Sequence, residues 1–175
     1  MALAFQIPGP CLIQVDTGSS NALEDLGYTA DGAQVSSQRL KHETPVDSLG
    51  GQGGIPGEIQ MLGYIDTITL DLTKYDSAVF EKLIAFAYGA TAGAQTTSVS
   101  SVEQSNIGVP LSSNSFRLLL KPSLRGTVQT NHVRNYKIAL IESYDAVTGT
   151  KAKRQRMQFK CYPNSSLVTW DRSTS

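Results

Sequence analysis

Residues 61–76 read MLGYIDTITLDLTKYD, and within them Ile68, Leu70 and Leu72 alternate with Thr67, Thr69, Asp71 and Thr73. Successive side chains of a strand point to opposite faces, so a period of two gathers the aliphatic residues on one face and the polar ones on the other. A half-buried strand is therefore expected here. The pattern returns three times in the last third of the chain. Phe116, Leu118 and Leu120 alternate with Arg117 and Lys121; Tyr136, Ile138 and Leu140 with Lys137, Ala139 and Ile141; Met157, Phe159 and Cys161 with Gln158 and Lys160. Leu12, Ile13 and Val15 supply the apolar positions of a first strand or arm.

The strand around Ile68 runs into different chemistry. Asp76 and Ser77 can cap a helix, Val79, Leu83 and Phe86 follow at helical spacing, and Gly89 is a natural stop, which predicts one α-helix at about 76–88. Asp31-Gly32, between two β-prone runs, predicts a hairpin turn, and residues 144–150 are expected to form a second hairpin loop. The segment 42–57 holds Pro45, Pro56 and five glycines, too many breakers for the interior of a regular element, so a long exposed loop is expected. Residues 90–114 are small, polar and nearly uncharged, and are read as a second long loop. These elements add up to a mainly β fold: an antiparallel β-sandwich or partly closed barrel carrying one α-helix. The expectation is one domain over residues 1–175, with an N-terminal arm at 1–11 and long loops at 42–57 and 90–114.

A chain of 175 residues with 40% hydrophobic and 17% charged residues can bury a real core. The opening MALAFQIPGPC has no basic stretch before its prolines and does not read as a secretory signal, and no apolar run is long enough to span a bilayer. Cytoplasmic folding is expected, with Cys11 and Cys161 as buried thiols rather than a disulfide framework or a zinc site. The net charge of zero hides a division along the chain. Residues 1–110 hold 12 acidic and 4 basic residues, whereas residues 111–175 hold 3 acidic and 11 basic. Either copies meet acidic face to basic face, or the two sets interleave within each folded chain.

Catalytic patterns are sparse. Asp16-Thr17-Gly18-Ser19-Ser20 resembles the active-site loop of pepsin-like aspartic proteases, but those enzymes need two facing carboxylates, and no second Asp-Thr-Gly or Asp-Ser-Gly occurs. A turn explains the same residues. His42 and His132 lack Cys or His partners at metal-ligand spacing, no Gly-x-Ser-x-Gly is present, and the glycines at 50–57 lack the Lys-Ser/Thr ending of a phosphate loop. Lys151, Lys153, Arg154 and Arg156, with Arg134 and Lys137 nearby, could meet phosphates, yet no aromatic residues are interleaved to stack bases. A carbohydrate-binding β-sandwich is the competing class, and a single tryptophan, Trp170, gives it little support. No enzyme activity, catalytic residue, cofactor or metal is expected.

The order of parts from about Asp16 to Tyr162, with LGYTADGAQV as a turn, SLGGQGGIPGEIQ as a loop and MLGYIDTITLDLTKYD as a strand, resembles the tail tube proteins of tailed bacteriophages. The resemblance implies a virion structural protein in which six copies form a ring, rings stack, and inner sheets join into a β-lined channel through which DNA passes without specific binding. It implies neighbouring tail and neck proteins as partners, a place in the virion tail after assembly in the bacterial cytoplasm, and no membrane association. The loop at 42–57 would reach the next ring. On that basis the expected inter-subunit contacts are His42, Glu43 and Asp47 with Lys151, Lys153, Arg154 and Arg156. A neck, tail-terminator or head-decoration protein is the alternative within the same class.

Overall fold

In the computed structural model the strand around Ile68 is the middle of a 20-residue strand, β4 (Pro56–Tyr75), antiparallel to a 22-residue β3 (Glu24–Pro45). The structure describes residues 3–16, 22–45, 56–87, 114–148 and 153–172. The remaining elements are β1 (Leu3–Ile7), β2 (Cys11–Asp16), α1 (Ser77–Ala87), β5 (Phe116–Leu124), β6 (Thr127–Val128), β7 (Arg134–Thr148), β8 (Lys153–Tyr162) and β9 (Trp170–Asp171).

Six strands close on themselves in the order β2-β3-β4-β8-β7-β5, and β5 returns to β2, every pair antiparallel. The expectation of a sandwich or partly closed barrel is corrected by this ring: β5 hydrogen-bonds to both β2 and β7, so no seam separates two sheets. Alternation along a strand fixes which residues face inward, not which strands become neighbours, and both architectures share the same period. β1, β6 and β9 attach outside the ring, to β3, β5 and β7.

The interior is filled. Ile13, Ile68, Leu72, Leu118, Tyr136 and Phe159 are all fully buried, and the rings of Phe116 and Phe159 meet edge to face at 5.9 Å. On β7 the expected face is only partly right. Phe116 lies opposite Ala139 and Leu118 opposite Tyr136, so β7 carries one extra residue across that step. This bulge turns the later positions over, burying Ala139 and leaving Ile138 and Leu140 half-buried.

Helix α1 forms where capping chemistry predicts. The Asp76 carboxylate accepts from the backbone N–H groups of Ala78 (2.9 Å) and Val79 (3.3 Å), and Val79, Leu83, Ile84 and Phe86 join the barrel's core cluster. The helix touches β3 and β7, which stand on opposite sides of the six-strand ring, so it spans one mouth of the barrel. Asn114 is buried beside it and donates its amide to the Phe86 carbonyl at 2.9 Å. The rest of the expected loop at 90–114 lies outside the described residues.

Three other expectations change. The Asp31-Gly32 hairpin does not form: β3 continues through it, with Thr29 opposite Leu72 and Ala33 opposite Leu70, so Ala30, Asp31 and Gly32 bulge out of a continuous ladder. Gly32 has φ +82°, and a Cβ there would collide with the Ile7 carbonyl; one at Gly9 would collide with the Ala30 carbonyl. The β1–β2 corner is thus seated in the bulge, which is what this turn-like dipeptide serves. The expected arm at 1–11 contains β1, paired with β3 from Leu3 opposite Ser37 to Ile7 opposite Ala33. The expected loop at 42–57 is shorter, because the β3–β4 ladder continues through His42–Gln60 and Thr44–Glu58 to Pro45–Pro56. Both prolines fall at strand ends, where a missing N–H costs little. Likewise the loop expected at 144–150 is ladder as far as Thr148–Lys153.

Candidate assembly surface

The β3–β4 pair outgrows its barrel. β1 covers the outer edge of β3 only from Ala33 to Ser37, and β8 covers the outer edge of β4 only from Asp66 to Leu72. Beyond those limits residues 38–45 and 56–65 pair with each other and, among the described residues, with no further strand. At ~3.3 Å per residue this two-stranded ribbon projects roughly 26 Å. A lone two-stranded ribbon is marginal in water, and each of its edges presents a row of backbone donors and acceptors to another strand.

Its side chains point the same way. Ile59 and Met61 are each 56% exposed and Leu62 46%. Lys41 pairs with Met61 and Leu40 with Gly63, which makes Leu62 an extra residue in a β-bulge; Gly63, at φ +136°, takes a conformation that suits glycine. On β3, Arg39, Lys41 and His42 are exposed. The ribbon therefore combines edges that no other described strand covers, apolar side chains in water and cationic groups.

At the ribbon's base a short segment ends the β4 edge. Pro163 lies beside Gly63, and Thr169 donates its hydroxyl to the Tyr64 carbonyl at 2.7 Å. Between them Asn164 organises a tight turn: its side-chain oxygen accepts from the N–H groups of Ser166 (2.9 Å) and Val168 (3.1 Å), and its N–H donates to the Val168 carbonyl (3.0 Å). Leu167 takes φ +59° in this turn and is 64% exposed, with Val168 at 47%. The chain then enters β9, where the Arg134 guanidinium stacks 3.3 Å from the centroid of the Trp170 ring.

Behind that turn a pocket of about 420 Å³ lies between Leu167–Trp170 and the inward-facing Asp66. Asp66 is buried and accepts from the hydroxyls of Ser37 (2.6 Å) and Tyr136 (3.2 Å). Burial pushes the Tyr136 phenol well above its ordinary range, and the nearby Asp66 charge adds to the rise, so tyrosine stays a donor. The carboxylate is held by two neutral donors, which explains its place in a core. Among the described residues no group of three His, Cys, Asp or Glu could hold a metal ion, and no helix is long and apolar enough to cross a membrane.

The residues anticipated as inter-subunit contacts fall into two separate places. His42 is exposed on the ribbon opposite Gln60, and Glu43 pairs through its backbone with Ile59. Arg154 is exposed on β8 opposite Val147, and Lys153 pairs with Thr148 at the far end of the β7–β8 hairpin. Asp47 and Lys151 lie outside the described residues. Arg156 is exposed but engaged with its own chain: its Nε and Nη2 reach the Asp71 carboxylate at 2.9 and 3.3 Å, and Asp145 is its partner on β7. The Arg156 hydrogen bond holds the Asp71 carboxyl below the ordinary value of 3.8. This pair joins the acidic and basic parts of the sequence within one molecule. Ile59, opposite Glu43, and Asp71, opposite Arg156, are separated by roughly 40 Å of strand, so the two groups occupy different ends of the molecule. Sequence reasoning missed Ile59, Met61, Leu62, Leu167 and Val168, whose exposure depends on where neighbouring strands stop. Of the protease-like motif, Asp16 ends β2 opposite Arg117 and the remainder lies outside the described residues.

No protein-family model and no curated protein sequence matches the chain. Among solved structures, it is similar to a chain of the virion of a native gene transfer agent particle, with 13% identity and a TM-score of 0.40 over 86% of this chain and 89% of that one. It is similar to a chain in the tail of an empty gene transfer agent particle of C6 symmetry, with 13% identity and a TM-score of 0.39 over 85% and 88%. A type six secretion system protein aligns with 10% identity and a TM-score of 0.31 over 91% and 88%.

Proposed function

We propose that this protein is a non-enzymatic, self-assembling structural subunit of a virion tail, of the tail tube type, in which copies join side by side into a ring and rings stack. One observation carries the reading: the β3–β4 ribbon leaves both of its edges unpaired among the described residues while exposing Ile59, Met61 and Leu62. The free edge of β3 in one copy and that of β4 in the next are antiparallel when the ribbons stand side by side, so pairing them repeats from copy to copy. A contact between different surfaces of identical chains closes into a ring if the rotation permits. Six copies per ring, a lumen that lets DNA pass, assembly in the host cytoplasm and contacts with other tail and neck proteins belong to the same proposal. So does the assignment of His42, Glu43 and Asp47 on one side and Lys151, Lys153 and Arg154 on the other to contacts between copies. The separation of His42 and Glu43 from Lys153 and Arg154, at different ends of the molecule, suits stacking, with opposite charges steering the encounter. Arg156, engaged with Asp71, contributes to that surface only by releasing its own partner.

Negative-stain electron microscopy of the purified protein across a concentration series tests the reading. Rings or tubes with a central hole are the expected result. Monomers at every concentration, with or without other tail components, would overturn it; capture only on preformed heads or necks would support the neck or decoration role instead.

A further inference from the structure

We infer that the Asn164–Thr169 turn is a register stop: it limits where the β3 strand of a second copy can pair on β4, and Leu167 and Val168 receive that strand at Gln38. This rests on the self-assembly reading and adds a surface that neither the ribbon nor the charge division identifies.

Two limits on one chain match each other. On β4, the edge that β8 covers from Leu72 to Asp66 is next occupied by Thr169 on the Tyr64 carbonyl and by Pro163 beside Gly63, and among the described residues no strand pairs with it from Leu62 toward Pro56. On β3, the edge is covered by β1 until Leu3 opposite Ser37, and from Gln38 onward no other described strand pairs with it. A second copy's β3, antiparallel to β4, brings its Gln38 end to the Leu62 end of β4. There the incoming strand, shielded by its own β1, meets the turn. Strand pairing by backbone alone tolerates slippage, and a slip of one residue exchanges the two faces of a strand, so an extended ribbon needs something at one end to fix its register.

The turn has the properties of such a stop. It is held by side-chain and backbone hydrogen bonds on Asn164, and Leu167 and Val168 stand exposed side by side within it. Leu62, the bulge residue at the same end of the edge, adds a third exposed aliphatic group, while Gln38 on the incoming strand is exposed and uncharged. The second copy is the occupant because the same chain carries both the open edge and its antiparallel complement, with their ends set at matching places.

The test uses the full chain. Leu167→Asp with Val168→Asp changes only exposed positions, so the monomer should keep its circular dichroism and melting temperature, while the concentration at which rings or tubes appear in sedimentation velocity rises at least ~10-fold. Gln38→Cys with Val168→Cys, oxidised after assembly, should give covalent ladders of two or more copies, and neither single variant should do so. Assembly of the double-aspartate variant at wild-type concentration, together with absence of the ladder, would overturn the register stop and leave self-assembly standing. A wild-type chain that never assembles would overturn both.

Discussion

Tyr136 on β7 donates its hydroxyl to Asp66 on β4 at 3.2 Å, across the interior of the barrel and past the intervening strand β8. The bond ties two strands that do not pair to one carboxylate, which Ser37 on β3 also holds. Tyr136→Phe leaves a buried carboxylate with one partner fewer, and a buried polar group that loses its partner costs about 1–3 kcal/mol. Equilibrium urea unfolding of the monomer should register a loss of that size, with the slope unchanged. No loss would mean that water or Arg134 replaces the phenol.

The Asp76 carboxylate satisfies two otherwise unpaired N–H groups at the start of α1. Asp76→Ala should cost about 0.5–2 kcal/mol, and Asp76→Ser should recover most of it. Because α1 shares the barrel's core, the whole molecule should unfold at the lower denaturant concentration in one transition.

Burial pushes the Cys11 thiol up to about 12, and raises Cys161 well above the ordinary thiol value. Both side chains are free and buried, so neither is a nucleophile at neutral pH. A chromogenic disulfide reagent should label neither thiol in the native protein near pH 8 and both in denaturant. Labelling of native protein would contradict the packing of β2 or β8.

Asp71 is held below its ordinary value by Arg156, so the favourable interaction is fully present above the unfolded-state pKa and disappears as pH falls through the folded one. Asp71→Asn should therefore lower the urea midpoint slightly at neutral pH and leave it unchanged well below pH 3.8, where both proteins carry a neutral side chain. A surface pair supports only a small effect.

Ile59 and Met61 lie on the ribbon, outside the core. Ile59→Lys with Met61→Lys should leave monomer stability within about 0.5 kcal/mol and should prevent ring formation at concentrations where the wild type assembles. Sedimentation velocity and unfolding curves of the same samples separate the two effects.

The period of two at Ile68, Leu70 and Leu72, the cap at Asp76 and the buried faces of β5 and β8 were legible because each is set by neighbours within a few residues. What was not legible depends on partners far along the chain. Asp31-Gly32 has turn chemistry in any context, and only the β1–β2 corner packed against it makes it a bulge in a continuous strand. The ladder from His42 to Pro45 survives its glycine-rich surroundings because β4 returns in register beside it. The half-exposed β7 face past Tyr136 turns on one inserted residue, which alternation alone cannot reveal. The candidate surface is harder still: Ile59 looks like any strand isoleucine, and it is exposed because β8 stops at Leu72–Asp66, a limit written in another part of the sequence.

Helix α1 lies across one mouth of the barrel, and Tyr136, Phe159 and the aliphatic residues fill the space behind it. A solid plug of this kind has no bore. If this protein takes part in a conduit, the hole belongs to no single chain; it exists only as the gap that several copies leave between them, with its width set by how many stand in the circle and its walls by the outer surfaces of proteins whose own centres are shut.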